Sequence, residues 1–210
     1  MSNLYIKYEF FILNIFNTYK VKNTRLNINI WYHINRMIKR RNFVNIPKKV
    51  LYIIEKLEEK DYEGKNLVCV GLLKGSVVFM ADLIKTIDID LSIDFMKVSS
   101  YGGGTDSTGV VKILKDVDEE VTGKDVLLVE DIVDTGLTIA NVKEFIAKKK
   151  PNSVKVCTLL DKPSRRKVDV KADYSGFEIP DAFVIGYGLD YAEKYRNLPY
   201  VGILTLDNKD

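Results

Sequence analysis

Residues 126–138, with the sequence VLLVEDIVDTGLT, decide the fold that this chain is expected to adopt. The four residues of 126–129 are apolar and mostly branched, which is the pattern of a fully buried strand. Three carboxylates follow within five positions, at Glu130, Asp131 and Asp134. A helix is expected after them. The stretch therefore predicts a strand, a short acidic loop and a helix in direct succession.

The loop DTGLT, residues 134–138, has the chemistry of an anion site. Its glycine and hydroxyl side chains precede a helix N-terminus, where free backbone N–H groups and the helix dipole favour negative charge. The neighbouring carboxylates can accept hydrogen bonds from sugar hydroxyls. Together they indicate a phosphorylated sugar as the ligand, with a divalent cation to offset the repulsion between acids and phosphate. The alternative is an ordinary strand–loop–helix turn with solvated acids.

Strands and helices alternate on both sides of this stretch. Short apolar runs predict strands, and apolar residues at helical spacing predict helices. Helices are predicted around residues 50–57 and over 77–86 and 138–149, and strands over 67–73, 89–98, 110–114, 125–129, 154–160, 182–186 and 201–206. This order predicts an α/β fold with a largely parallel central sheet flanked by helices. Polar loops after Leu73, Val129 and Leu160 are expected to meet at the carboxyl edge of the sheet.

Charge and cysteine usage exclude several classes of protein. Residues 1–54 contain ten basic residues and one acidic residue, a net +9, which leaves −6 for the rest of a chain whose total is +3. An acidic core gives no electrostatic reason to expect nucleic acid as a partner. Cys69 and Cys157 lie in apolar strand-like runs, so buried free thiols in a cytoplasmic protein are expected. The lone His33 cannot supply a histidine-based metal site.

The N-terminal segment, residues 1–44, differs in composition from the rest. It is basic and rich in asparagine and bulky apolar residues, with no clear caps or turns. The apolar run 10–16 is too short to span a bilayer, and no secretory signal or membrane association is expected. We interpret residues 1–44 as an atypical extension, either poorly ordered or the product of a misassigned start. Residues 45–210 are predicted to form the functional domain.

The stretch 126–138 resembles the 5-phosphoribosyl pyrophosphate (PRPP) motif of the type I phosphoribosyltransferases. Further short segments resemble the hypoxanthine-guanine members of that family. These are Leu73-Lys74-Gly75, Ser100-Tyr101, Asp161 to Arg166, Gly176 to Asp181, and Gly186 to Tyr191 with Arg196 downstream. Together they span roughly residues 50–206. The resemblance implies the type I phosphoribosyltransferase fold, with a small hood contributed by the C-terminal region.

The resemblance implies a catalytic role for Asp134 as the general base near N7 of a purine. Glu130 and Asp131 would bind the ribose hydroxyls and Mg²⁺. The residues that would hold the 5′-phosphate of PRPP are Thr135, Gly136, Leu137 and Thr138. The expected reaction transfers the phosphoribosyl group to N9 of hypoxanthine or guanine, which gives IMP or GMP and pyrophosphate.

The remaining roles also follow from the resemblance. Pyrophosphate would be bound by Lys74, Gly75, Arg166 and Arg196, often with a cis peptide before the lysine. The purine would be bound by Lys162, Phe183, Val184 and Asp190, of which Asp190 would also hold Mg²⁺. Lys162 would donate a hydrogen bond to the 6-oxo group, which adenine lacks. Ser100 and Tyr101 would close as a lid, for which the alternative is an inert surface hairpin.

Other functions are compatible with parts of this pattern. One is a nucleotide-sensing regulator that binds RNA or DNA, because some proteins of this fold do so. Another is a transferase specific for xanthine or a pyrimidine. Similar enzymes form homodimers or homotetramers, and the unusual residues 1–44 leave the oligomer contact open.

Overall fold

The computed structural model describes residues 62–100 and 111–204, together with Ile53 and Leu57. The strands of its main sheet are β1 (Leu67–Leu73), β2 (Leu91–Ser100), β3 (Val111–Lys115), β4 (Asp125–Val133), β5 (Ser153–Asp161) and β6 (Tyr174–Glu178). Helix α1 (Val77–Ile84) follows β1, and helix α2 (Leu137–Ala147) follows β4. A short 3₁₀ helix (Pro163–Arg165) follows β5. Strands β7 (Val184–Ile185) and β8 (Gly202–Ile203) pair with each other as a small separate sheet.

The main sheet has the strand order β3-β2-β1-β4-β5-β6 within the described residues. Its neighbours are parallel except for the antiparallel pair β2–β3. Strands β1, β4 and β5 are adjacent, so the loops after them open at the same edge of the sheet. The predicted α/β fold with a largely parallel sheet is therefore confirmed.

Both faces of the sheet are covered, which explains the continuous apolar runs of its central strands. Successive residues of a strand point to opposite faces. Leu67 and Cys69 accordingly face a core that contains α1 and the buried Ile53 and Leu57. Val68 faces a second core that contains the buried side of α2. Both cysteines of the sequence are buried and free, as expected.

The structure corrects three predicted elements. Strand β4 continues to Val133, so Glu130 and Asp131 belong to the strand and not to the loop after it. Strand β6 was not predicted; Gly176 in it packs so closely on the Leu159 carbonyl that a Cβ would overlap the oxygen. The predicted strand 182–186 is reduced to the two residues of β7.

Several predictions concern residues outside the described ranges. They include the extension 1–44, the boundary before residue 45, and the side chains of the proposed lid at Ser100 and Tyr101. Of the predicted strand 201–206, residues 205 and 206 are not described either. Among the helical residues that the structure does describe, none forms a segment long and apolar enough to cross a membrane.

Candidate active site

The β1 turn, residues 74–76, is the first of the loops at the carboxyl edge of the sheet. The peptide bond between Leu73 and Lys74 is cis, as the resemblance suggests. Gly75 lies directly against the carboxylate of Asp131, and a Cβ at this position would overlap it. Only glycine lets the backbone approach so closely. The turn therefore presents its backbone beside an acid of β4.

The β4 loop, residues 134–136, leads into α2. Gly136 has the left-handed φ of 83°, which glycine adopts without steric cost, and α2 begins at the next residue. Ala140 donates to the Gly136 carbonyl at 3.0 Å, so the amides before Ala140 point out of the helix. The first turn of α2 carries no acidic residue. The loop and helix start thus have the geometry predicted for an anion site.

The β5 loop, residues 162–170, fixes the β4 loop from outside. Arg166 Nη1 donates to the carbonyls of Val133 and Asp134 at 3.0 and 2.6 Å. Its Nη2 forms an ion pair with Asp161. These contacts hold the guanidinium under the β4 loop, and none of them is shared with Lys74 or Arg196. Its predicted role as a pyrophosphate ligand stays a prediction, while the structure gives it a clear part in shaping the loop.

A pocket of about 260 Å³ opens beside the β4 loop. It is lined by Asp131, Ile132, Asp134, Lys162, Phe183, Val184, Leu189 and Asp190. Phe183 is 54% exposed and meets the ring of Tyr191 edge-on, with 5.8 Å between the ring centroids. An exposed aromatic face over a pocket that has charged groups at its far side suits a flat, polar heterocycle. The pocket brings together all four residues predicted to bind the purine.

Lys162 lies at the inner end of this pocket and is only 5% exposed. Its Nζ donates to the Ala182 carbonyl at 2.8 Å. The same nitrogen lies 3.9 Å from Asp134 Oδ2 and 3.7 Å from Asp181 Oδ1. A buried ammonium requires such partners. Because an ammonium has three N–H donors, it can still donate to a ligand.

The carboxylate of Asp134 lines the pocket and lies between Lys162 and Arg165. The Arg165 Nε lies 3.3 Å from its Oδ1 without forming a hydrogen bond. That oxygen is buried and, within the described part of the chain, accepts no hydrogen bond. A buried acceptor without a partner is rare in proteins and is expected to have a functional explanation. The side chain as a whole is 37% exposed and lines the pocket, so its carboxylate is suited to accept a proton or a hydrogen bond from a ligand there.

A chain of charged side chains joins the β1 turn to the C-terminal part of the site. Lys74 Nζ lies 2.7 Å from Glu193 Oε2, and Glu193 Oε1 lies 3.5 Å from Arg196. Arg196 Nη2 in turn lies 2.8 Å from Asp190. Lys74 and Arg196, which were predicted to bind pyrophosphate, therefore share one carboxylate as a partner. A phosphate ligand could replace Glu193 on both cations.

The sequence of residues 41–192 matches the phosphoribosyl transferase domain. The chain belongs to the phosphoribosyl transferase family. It is 56% identical over 173 residues to the hypoxanthine-guanine phosphoribosyltransferase of Staphylococcus epidermidis, with 82% of this chain and 94% of the relative covered. The enzyme of that name from Staphylococcus aureus is 61% identical over 145 residues, which covers 69% of this chain and 81% of the relative.

Solved structures agree with these relatives. The hypoxanthine-guanine phosphoribosyltransferase of Bacillus anthracis, crystallised with a HEPES molecule in its active site, aligns with a TM-score of 0.72 and 52% identity. That alignment covers 76% of this phosphoribosyl transferase and 93% of the solved chain. The resemblance seen in the sequence is confirmed.

The adjacent carboxyl groups of Glu130 and Asp131 are buried, which disfavours their ionised forms in this phosphoribosyl transferase. Burial, more than the charge of Asp131, raises the pKa of Glu130 well above its usual value. Burial likewise raises the pKa of Asp131 from 3.8 to about 6. A cation or sugar hydroxyls at this position would relieve the cost of keeping both groups ionised.

The carboxylates of the site could hold Mg²⁺ only together with a ligand that supplies further oxygen atoms. In the described ranges, no three Asp, Glu, His or Cys side chains come close enough to enclose a metal ion. Mg²⁺ usually takes one or two protein carboxylates and completes its shell with water and substrate phosphates. Asp131 and Asp190, which line the same pocket, meet that requirement.

Asp131→Asn is expected to raise the melting temperature of the ligand-free protein by a few degrees at pH 7. The folded state holds the Asp131 proton more tightly than the unfolded state does, so its ionisation costs stability as pH rises from about 4 to about 6. The stability gain should therefore disappear below about pH 4. Asparagine can still accept the hydrogen bond that Ile132 N donates to Oδ1 at 3.0 Å. Calorimetric melts across this pH range measure the difference.

Glu144→Gln is the matched control for that experiment. The pKa of Glu144 is lowered by its hydrogen bond to Lys148, 2.8 Å away on the exposed side of α2. Loss of the Glu144 charge should lower the melting temperature slightly at pH 7, which is opposite to the effect expected for Asp131→Asn. A melting temperature that falls at pH 7 in both variants would contradict the account given for Asp131.

The sequence missed several residues that the structure places in the site. Leu189 and Ile132 line the pocket. Glu193 pairs with Lys74 and Arg196, two of the three cations predicted to bind pyrophosphate. Asp181 lies 3.6 Å from Arg165 Nη1 and 3.7 Å from Lys162 Nζ. Asp181 and Leu189 fall inside the segments that carry the family resemblance, which is the signal that could have identified them. Nothing in the spacing of the sequence points to Glu193.

Proposed function

We propose that this phosphoribosyl transferase is a purine-salvage enzyme that transfers the 5-phosphoribosyl group of PRPP to N9 of hypoxanthine or guanine. The products are IMP or GMP and pyrophosphate. One observation carries this proposal: one pocket, lined by Asp134, Lys162 and Phe183, opens beside the β4 loop, which leads into the N-terminus of α2. The relatives named as hypoxanthine-guanine phosphoribosyltransferases support the same activity.

The base is recognised at the inner end of the pocket. Lys162 donates a hydrogen bond to the 6-oxo oxygen of the purine, and Phe183 covers one face of the ring. The backbone of Val184 binds the edge of the base. A protonated lysine cannot accept a hydrogen bond, so the amino group of adenine is disfavoured there. The pocket thereby selects 6-oxopurines.

The PRPP half of the substrate pair lies along the loops after β1 and β4. Thr135, Gly136, Leu137 and Thr138 hold the 5′-phosphate, and Glu130 and Asp131 bind the ribose hydroxyls. Lys74, Gly75 and Arg196 bind the pyrophosphate, for which Lys74 must exchange its contact with Glu193. Glu130, Asp131 and Asp190 would hold Mg²⁺, which would supply positive charge to balance the negative charge that grows on the departing pyrophosphate.

The chemical step needs a base on one side and a departing group on the other. N9 of the purine forms a bond to C1′ of the ribose while the bond from C1′ to the pyrophosphate oxygen breaks. The bonding electrons leave with pyrophosphate, and the Asp134 carboxylate takes the proton from N7. A carboxylate base must first be placed within hydrogen-bond reach of that proton. The carboxylate of Asp134, which lines the purine pocket, is suited to this position.

Three further properties belong to this proposal. The enzyme acts in the cytoplasm, because its two cysteines are free and buried. It forms a homodimer or homotetramer, which the light-scattering mass of the full chain measures. Closure of Ser100 and Tyr101 over the site would exclude water, which otherwise hydrolyses the activated sugar.

Turnover of radiolabelled hypoxanthine with PRPP and Mg²⁺ tests the proposed function directly. Formation of IMP is expected, and competition among hypoxanthine, guanine and xanthine in one assay ranks the bases. Folded protein that forms no nucleotide from any of the three would overturn the proposal. The acidic core and the named relatives give no support to a regulatory nucleic-acid-binding function. That function would require a gel shift with RNA or DNA that weakens steeply as the salt concentration rises.

A further inference from the structure

Tyr187 is a buried residue in a backbone conformation that tyrosine seldom adopts. It is 1% exposed and has a φ of 52°, between two glycines that also have positive φ. A left-handed conformation is disfavoured for residues with a Cβ, so other contacts must stabilise it. The hood turn, residues 186–190, is built around this residue. It ends on Leu189 and Asp190, which line the pocket.

The phenol of Tyr187 binds a residue far away in the sequence. Its hydroxyl donates a hydrogen bond to Asp82 Oδ2 on α1. The other oxygen of Asp82 accepts a hydrogen bond from Lys85 Nζ at 2.6 Å. Burial, and then the neighbouring carboxylate, raise the pKa of Tyr187, so the phenol keeps its proton and remains a donor. Neither Asp82 nor Tyr187 lines the pocket.

The hydrogen bond between Asp82 and Tyr187 connects α1 to the hood turn. Each of these two elements is continuous with, or packs on, a part of the proposed pyrophosphate site. Helix α1 follows directly from the β1 turn. On the other side, Gly188 of the hood turn packs so closely on the Gly75 carbonyl that a Cβ would overlap it. Arg196 braces the same turn through a 2.8 Å hydrogen bond to the Gly188 carbonyl and a 2.8 Å ion pair with Asp190. The position of the hood turn therefore determines where the β1 turn meets Asp190 and Arg196.

We propose that the Asp82–Tyr187 hydrogen bond positions the hood turn on the β1 turn and thereby sets the affinity for the pyrophosphate half of PRPP. Both residues are positioning residues, since neither contacts the substrates. The inference rests on the proposed function. It adds that a contact outside the pocket controls the affinity for one of the two substrates, PRPP.

Three of the four residues predicted to bind the purine, Lys162, Phe183 and Val184, lie outside the hood turn and have separate supports. Lys162 is held by the Ala182 carbonyl. Val184 pairs with Ile203 in the β7–β8 hairpin. Loss of the Tyr187 hydroxyl should therefore change purine binding much less than PRPP binding. A change that only loosened the whole fold would affect both substrates together.

Tyr187→Phe is the first test, because it removes one hydroxyl and keeps the ring. We expect the KM for PRPP to rise about tenfold, the range for loss of one hydrogen bond to a charged group. The KM for hypoxanthine should change less than about threefold. Calorimetric titration with pyrophosphate should show a similar loss of affinity without turnover. Asp82→Asn keeps an acceptor oxygen and should be closer to wild type than Asp82→Ala.

Lys85→Ala is the matched control, because it removes the other partner of Asp82 and leaves the bond to Tyr187. Its kinetics should equal those of the wild type. Equal rises in both KM values for Tyr187→Phe, or an unchanged PRPP KM in every folded variant, would overturn the inference. If Tyr187→Phe fails to fold, the order of Asp82→Asn and Asp82→Ala decides. Absence of wild-type turnover would instead refute the proposed function, so the two failures are distinguishable.

Discussion

Asp134→Asn is expected to lower kcat by about 10²–10⁴-fold, the usual contribution of a general base. Asparagine has nearly the same shape and keeps an acceptor oxygen, but it cannot take the proton from N7. The substrates should therefore still bind, with KM values within about threefold of wild type. Steady-state kinetics with hypoxanthine and PRPP measure both parameters. The structural basis of this expectation is the Asp134 carboxylate on the wall of the pocket, 3.9 Å from Lys162 Nζ.

Asp181→Asn is the matched control for Asp134→Asn. Asp181 shares the same two cations, at 3.7 Å from Lys162 Nζ and 3.6 Å from Arg165 Nη1, but it does not line the pocket. Its loss should lower kcat by less than about tenfold, as expected for a partly exposed charge at the rim. Equal losses in the two variants would show that the total charge near the cations matters, and Asp134 would lose its assignment as base.

Lys162→Met is expected to lower kcat/KM for hypoxanthine by about 10²-fold or more, because it removes a charged donor to the 6-oxo group. Methionine has a similar length and fills the buried channel that the lysine stem occupies. The preference for hypoxanthine over adenine should fall by a similar factor, since the site would no longer present an obligate donor. Competition between the two bases at a fixed PRPP concentration measures this ratio directly.

Lys167→Met is the corresponding control. Its side chain is exposed, and its backbone N–H donates to the Thr135 carbonyl of the β4 loop at 2.9 Å. Neither the rate nor the preference between bases should change. A Lys162 variant that loses activity but retains the full preference for hypoxanthine would assign the lysine to folding or to Asp134 and remove it from base recognition.

The parts of the fold that depend on local chemistry could be predicted from the sequence. The run 126–129 had to be a buried strand, and Gly136 marked the turn into α2. The acids of β4 were identified in the same way, whereas the lysine and glycine of the β1 turn were assigned through the family resemblance. Each of these signals lies within a few consecutive residues. The parallel order of strands then brought the loops after β1, β4 and β5 to one edge.

The contacts that required the full fold could not be predicted. Glu193 reaches Lys74 across 119 positions of sequence, and Tyr187 reaches Asp82 across 105. No local pattern encodes either pairing, because both depend on how the hood packs over the sheet. Strand β6 was missed for a related reason: its central Gly176 reads as a turn, although the close approach of Leu159 requires a glycine there.

The two buried thiols make the centre of the sheet chemically observable. Cys69 on β1 and Cys157 on β5 flank β4 and are wholly inaccessible. Burial raises the pKa of Cys69 to about 12 and that of Cys157 well above its usual value, so reactive thiolate is scarce in the native state. An alkylating reagent can reach them only when the core that covers them, which includes α1, opens. Their labelling rate therefore measures the opening of the core on this face of the sheet, against which Tyr187 and Leu189 of the hood turn also pack.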